Sequence, residues 1–273
     1  MSAVAPSTRH GRTTSPSPVG GSPAPLLAEG VVKSFAGERA LDRVELRVGA
    51  GEIVGLVGPN GSGKTTLLGA AAGLLRIDAG SIRIAGSPAG SRAARAATAL
   101  VPDEPTGLDE LTVAEFISLV HRLWEADAAA AGRALMLSAA FGLDRRRHER
   151  LGTLSRGLRR QASGVAALSL APPLLLVDEA TATLDPEAVV VLREAVASLA
   201  ARGCGVLLAT QDLHFASAVC HTIALLHRGR VIDRGAPGVL CTRYGASSLE
   251  EVFLAAVGDG RLPERVRCAF AAH

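Results

Sequence analysis

Apolar residues in this chain fall into short unbroken runs and into sets at helical spacing, and the two patterns alternate. Glu52-Ile53-Val54-Gly55-Leu56-Val57 is a short apolar run and predicts a buried strand. Leu67, Leu68, Ala71, Leu74 and Leu75 follow at helical spacing. Val31–Phe35, Val44–Val48 and Ser81–Ala85 alternate around turns, which predicts an antiparallel portion, and Thr98–Val101 reads as a further short strand. Thr112-Val113-Ala114-Glu115 is a capping box that opens a helix through Trp124. The Ala-rich stretch 127–142 predicts a second helix, and another runs from past residue 157 to about Leu170. Leu174–Val177 (strand), Pro186–Arg202 (helix) and Val206–Thr210 (strand) complete the series. Val189, Leu192, Val196 and Leu199 give that helix one apolar face. Strands alternating with helices of this length imply a parallel sheet covered by helices, an α/β fold.

Composition narrows the picture. The chain has 273 residues, 48% of them hydrophobic, enough for one large or two modest domains with a real core. Residues 1–25 are rich in Ser, Thr, Pro and Gly and are expected to form a disordered tail. A net charge of +3 is too small to argue for nucleic acid, and 3% aromatics leave little for base stacking, so no nucleic-acid partner is expected. Cys204, Cys220, Cys241 and Cys268 show no C-x-x-C spacing and read as reduced thiols of a cytosolic protein. No stretch reaches the roughly 18–20 unbroken apolar residues of a spanning helix, and the N-terminus lacks the apolar core of a secretory signal. The expectation is a chain soluble by itself, with any membrane role exercised through a partner.

The candidate chemistry begins with Gly58-Pro59-Asn60-Gly61-Ser62-Gly63-Lys64-Thr65-Thr66, which matches the phosphate-binding pattern G-x-x-x-x-G-K-[ST] between a strand and a helix. Its glycines let successive backbone N–H groups turn inward as an anion cradle. Lys64 adds a point charge for the β- and γ-phosphates, and the Thr65 hydroxyl suits Mg²⁺, a hard cation. The following helix directs its positive end at the same phosphates. Lys33 and Lys64 are the only lysines among 29 Lys and Arg residues, so one of two occupies the phosphate position.

A second acidic centre closes the strand Leu174–Val177 with Asp178 and Glu179. A buried parallel strand delivers such a pair to the carboxyl edge of the sheet, where ligands bind in α/β folds. Asp178 would hold Mg²⁺, and Glu179 would orient or deprotonate an attacking water. Asp103-Glu104-Pro105-Thr106-Gly107-Leu108-Asp109 imitates the end of such a motif. Its preceding run is short and ends in Pro102, which cannot donate to a sheet ladder, so 174–177 is the expected central strand.

Together these segments resemble the nucleotide-binding subunit of an ATP-binding cassette (ABC) transporter over about residues 27–257. The resemblance implies a P-loop NTPase fold: a parallel-sheet core, an antiparallel β edge subdomain and an inserted helical subdomain near 92–165. The cassette domain would span 26–257, with a C-terminal tail over 258–273. Phe35 lies where the adenine-stacking aromatic belongs, and Gly58–Thr66 is the Walker A. Leu154-Ser155-Arg156-Gly157-Leu158 takes the signature position, where Ser155 and Gly157 would meet the ATP of an opposite subunit. Leu174–Glu179 is the Walker B and Leu184-Asp185-Pro186 the D-loop. Asp185 is equally placed as a helix N-cap before Pro186, and the two roles are compatible. Ser248-Leu249-Glu250-Glu251-Val252-Phe253 resembles a segment common in ATPases of ABC-2 type exporters.

Three positions depart from the family pattern. Asp103 replaces the Q-loop glutamine, leaving a carboxylate that can approach Mg²⁺ but donates nothing when ionised. Arg156 replaces the first signature glycine and is expected to point outward. Gln211 replaces the H-loop histidine, so an amide stands where the γ-phosphate contact is expected. The resemblance implies ATP and Mg²⁺ as ligands, a second ABC ATPase subunit and a separate transmembrane permease as partners, and a place at the cytoplasmic face of the membrane. Hydrolysis is expected to be slow but present. A nucleotide-binding regulatory module is the second reading, and a soluble cassette acting on DNA or ribosomes a weaker third. Seven arginines over 145–160 (Arg145, Arg146, Arg147, Arg150, Arg156, Arg159 and Arg160) are read first as a solvated face, with contact to an anionic partner as the alternative.

Overall fold

Short Leu- and Val-rich runs separated by Gly and Asp turns become strands, and the longer Ala-rich stretches between them become helices. A computed structural model describes residues 23–103, 107–179 and 181–258. The expected 1–22 part of the N-terminal tail and 259–273 of the C-terminal one lie outside the described residues. The strands are β1 (Leu26–Phe35), β2 (Glu38–Val48), β3 (Ile53–Val57), β4 (Ala79–Ile84), β5 (Ser87–Pro88), β6 (Thr98–Val101), β7 (Leu174–Val177), β8 (Gly205–Thr210), β9 (Thr222–His227) and β10 (Arg230–Gly235). The helices are α1 (Lys64–Ala71), α2 (Arg92–Ala96), α3 (Val113–Leu123), α4 (Ala128–Ala140), α5 (Arg156–Ser169), α6 (Pro186–Ala201), α7 (Leu213–Val219), α8 (Pro237–Tyr244) and α9 (Leu249–Ala256).

Two sheets share the work. The six-stranded sheet runs β10-β9-β3-β8-β7-β6, parallel except for the antiparallel β9–β10 pair. The four-stranded sheet β2-β1-β4-β5 is antiparallel throughout. β7 is interior and β6 is an edge strand. Pro102, just past β6, therefore falls where a missing donor does least harm.

Residues of β7 alternate between two cores. Leu175 and Val177 face the layer built with α3, α5 and α6, while Leu174 and Leu176 face the layer shared with α1 and the antiparallel sheet. β3 divides the same way, Ile53 and Val57 to one side and Val54 and Leu56 to the other. A strand buried on both faces reads as a continuous apolar run, so the central strands are legible as such. The expected helices 127–142 and 157–170 form over 128–140 and 156–169. The Thr112 capping box forms, with Glu115 Oε2 accepting from the Thr112 N–H at 2.9 Å and the Glu115 N–H donating to Thr112 Oγ1 at 3.2 Å. β9, β10, α7 and α8 are elements that the hydrophobic pattern did not single out; each is six to eight residues long.

Candidate functional site

The glycine loop leaves the carboxyl end of β3 and runs directly into α1. Gly58 is enclosed: a Cβ there would lie 2.2 Å from the Leu226 carbonyl oxygen. Gly63 has φ 108°, and a Cβ on it would lie 2.4 Å from the Ala40 carbonyl oxygen. Pro59, Asn60, Gly61 and Thr65 are exposed, Gly63 and Thr66 half-buried, and Ser62 and Lys64 buried. Ser62 Oγ is a buried hydroxyl with no hydrogen-bond partner among the described residues. The Ser62 carbonyl accepts from the Gly229 N–H at 2.9 Å, which ties the loop to the β9–β10 turn.

Lys64 Nζ donates to the Gly58 carbonyl at 2.9 Å and the Pro59 carbonyl at 3.3 Å, and lies 3.1 Å from Glu179 Oε1. The lysine side chain is 4% exposed and the glutamate 16%, so this pair is only weakly screened by water. The ion pair joins the tips of β3 and β7, which are separated by β8. Glu179 itself has φ 46°, a left-handed conformation that costs a non-glycine residue about 1–3 kcal/mol. Asp178 is 4% exposed, and its Oδ1 has no hydrogen-bond partner among the described residues. Burial holds the Asp178 carboxyl above the usual carboxylate range; the facing Thr65 hydroxyl opposes this, and the charges of Glu179 and Asp103 reinforce it.

Asp103 stands beside this centre with both carboxylate oxygens on arginines. Arg156 Nη2 donates to Oδ2 at 3.0 Å and Arg160 Nη1 to Oδ1 at 2.9 Å. Arg156, expected to point outward, therefore turns back along its own subunit while its side chain stays 44% exposed. The carboxylate at the Q-loop position supplies the counter-ion that draws it in. Arg145, Arg146, Arg147 and Arg150 are exposed, in keeping with a solvated face, but Arg160 is 2% exposed and departs from that reading. Its Nη2 donates to the carbonyls of both Asp178 and Glu179. In the sequence Arg160 lies inside a charge run. The available signal was its place one helical turn after Arg156, on the same face.

The remaining candidate residues stand around this group. Ser155 caps α5, its Oγ accepting from the Leu158 N–H at 3.3 Å. Gly157 is closely approached, since a Cβ would lie 2.6 Å from the Thr183 carbonyl oxygen. Asp185 caps α6 through the Ala188 N–H at 2.7 Å, and its other oxygen is 3.5 Å from Gln161 Nε2. Gln211 is exposed in the bend between β8 and α7. Phe35 is 47% exposed at the end of β1, with Lys33 Nζ 5.1 Å from its ring centroid. Among the described residues none of the side chains of Ser155, Asp185, Gln211 and Phe35 hydrogen-bonds to Lys64, Asp178 or Glu179.

The sequence pattern described as ABC transporter matches residues 41–182. Among curated proteins, a Nod factor export ATP-binding protein I of Paraburkholderia xenovorans is 34% identical over 226 residues, covering 82% of this chain and 74% of the relative. The daunorubicin/doxorubicin resistance ATP-binding protein DrrA of Streptomyces peucetius is 37% identical over 230 residues, covering 82% and 69%. Among solved structures, the ATP-binding subunit of an ABC transporter superposes with a TM-score of 0.80 at 30% identity, covering 85% of this chain and 99% of that one. The glycine loop, the acidic strand tip and these similarities agree: the chain belongs to the ABC transporter family, as an ATP-binding cassette of the P-loop NTPase class.

Proposed function

We propose that this chain binds and hydrolyses ATP to power a membrane exporter, working as one half of a head-to-tail nucleotide sandwich. The observation that carries the reading is the ion pair between Lys64 and Glu179, which brings the glycine loop and the acidic strand tip to one point. The exporter assignment follows the relatives, both named for export or drug resistance.

In this reading the Gly58–Thr66 backbone and Lys64 cradle the phosphates, and Phe35 stacks on the adenine. Thr65 and Asp178 fit a hard divalent cation, because Asp178 keeps a buried carboxylate oxygen unpartnered among the described residues and the Thr65 hydroxyl faces the same carboxyl group. Magnesium, when bound there, supplies charge neutralisation at the phosphate oxygens. Asp103, expected as a further cation ligand, has its two carboxylate oxygens engaged by Arg156 and Arg160. Glu179 orients or deprotonates the attacking water. Ser155 and Gly157 at the start of α5 meet the nucleotide of a second ABC ATPase subunit, and Asp185 borders the same junction. Gln211 faces the γ-phosphate with an amide, and with Arg156 it makes turnover slow.

Among the described residues no helix is long and apolar enough to cross a membrane. In this reading the force passes to a separate transmembrane permease, with the chain at the cytoplasmic face of the membrane. A groove of about 740 Å³ between α1, α2, β6, α3 and α5 suits that contact. Leu74 and Leu123 line it while 70% and 66% exposed, and Arg92, Arg95 and Arg159 flank them. An apolar segment of the permease with an acidic flank is its proposed occupant.

A regulatory, hydrolysis-impaired module is the second reading, favoured by Gln211 and by the Arg156–Asp103 pair. Steady-state ATP turnover of the purified chain, alone and with its membrane partner, separates the two. Glu179→Gln should abolish turnover while ATP binding persists; undiminished turnover would remove Glu179 as the base.

A further inference from the structure

We infer that Arg160 is a positioning residue for Glu179, holding the tip of β7 through its backbone with Asp103 as its counter-ion; this rests on the ATPase reading above. Four contacts carry the inference. Nη1 donates to the Asp103 carbonyl at 3.0 Å and to Asp103 Oδ1 at 2.9 Å, and Nη2 donates to the carbonyls of Asp178 and Glu179. A guanidinium presents donors in a planar fork, so one side chain bridges two loops at once. The residue is 2% exposed, and a buried cation persists only when paired and hydrogen-bonded. Asp103 provides the pairing. It stands at a position where a neutral glutamine would leave the guanidinium without its paired carboxylate.

The consequence lies at Glu179. Its backbone is left-handed at φ 46°, and its carboxylate reaches Lys64 Nζ at 3.1 Å. The carbonyls on either side of the Asp178–Glu179 junction both point at Arg160, so the guanidinium fixes the peptide that aims the glutamate. Asp103 also binds the exposed Arg156 at the start of α5. One carboxylate thus links the α5 terminus, through Arg160, to the strand tip. Arg160 acts through Glu179 and touches no reacting atom.

The test uses Arg160→Lys and Asp103→Asn in the full chain. Lysine keeps the charge but cannot reach both loops with two directed donors. Arg160→Lys should lower kcat for MgATP by about 10- to 150-fold, the scale of a lost hydrogen bond to a charged group, with KM changed less than about twofold. Amide exchange should speed up in the peptide carrying Asp178 and Glu179 and stay unchanged in β1, β2 and α4. Asp103→Asn keeps an oxygen for Arg160 while removing the charge, so it guards against a lysine variant that fails to fold. It should shift both readouts in the same direction, and the two changes should not add in the double variant. An unchanged kcat beside active wild type, or equal losses of kcat, nucleotide affinity and global protection, would overturn the inference. Failure of the wild type to turn over ATP would remove the ATPase reading. The exchange result then decides alone whether Arg160 holds the strand tip.

Discussion

Gly58 and Gln211 show how much hangs on single side chains. At Gly58 the obstacle is backbone, the Leu226 carbonyl 2.2 Å from a would-be Cβ, which cannot swing aside as a side chain could. Gly58→Ala should destabilise the fold by about 1–3 kcal/mol in urea unfolding, as expected of overpacking. Gly132 on α4 is exposed with nothing within 4 Å of its would-be Cβ, so Gly132→Ala should stabilise by about 0.5–1 kcal/mol. Equal effects at the two sites would refute the steric argument. Gln211 differs because the cost proposed for it is kinetic. A hydrogen bond to a charged group contributes about 1.5–3 kcal/mol, so if it is used only in the transition state, Gln211→His should raise turnover by about 10- to 150-fold. A rate that is unchanged or lower would argue against the proposal that the amide slows hydrolysis.

Among elements, the segment between β7 and α6 is the most constrained. Thr183 is β-branched, exposed and at φ 65°, a conformation that costs an L-residue about 1–2 kcal/mol. Its carbonyl abuts Gly157 at the start of α5, which gives a physical reason for holding it there. Thr183→Gly should relieve the strain and raise the melting temperature by about 2–4 °C, the shift expected of about 1 kcal/mol in a domain of this size. A lower melting temperature would show that the hydroxyl or methyl contributes more than the strain costs. The major elements were legible because their signals are local. A capping box, a proline after Asp185 and unbroken apolar runs each need only a few neighbouring residues. β9 and β10 were not singled out: Ile223-Ala224-Leu225-Leu226 is an apolar run as long as that of β7, but it adjoins the Arg228-Gly229 turn and the charge-bearing edge strand β10, not a flanking helix with a clear apolar face.

At the scale of the whole molecule the buried cysteines report on the core. Burial pushes the Cys204 thiol up to about 11 and the Cys220 thiol up to about 12, from an ordinary 9.0. Above pH about 9 the unfolded chain sheds these protons while the folded chain keeps them. The unfolded state then binds fewer protons, so stability falls as pH rises between about 9 and 12. The melting temperature should decline more steeply over that range in the wild type than in the Cys204→Ala, Cys220→Ala double variant. Parallel slopes would count against burial as the cause. The apolar groove supplies the other test at this scale. Leu123→Asp should abolish co-purification with the membrane subunit and leave ATP binding by the isolated chain unchanged; retained co-purification would place the contact elsewhere.

What the linear chain determined by itself was identity of type: a glycine loop flanked by strand and helix, an apolar strand ending in Asp178-Glu179, and their order along the backbone. These depend on residues adjacent in sequence, and local sterics and hydrogen bonding suffice to specify them. Tertiary structure alone decided what Asp103, Arg156 and Arg160 do together. Arg160 lies 57 residues from Asp103 and 18 from Asp178. Whether an arginine in a charge run is solvated or buried depends on which carboxylate and carbonyls the folded layers bring within hydrogen-bond reach. No spacing rule contains that information, because it is set by packing α5 against the tips of β6 and β7.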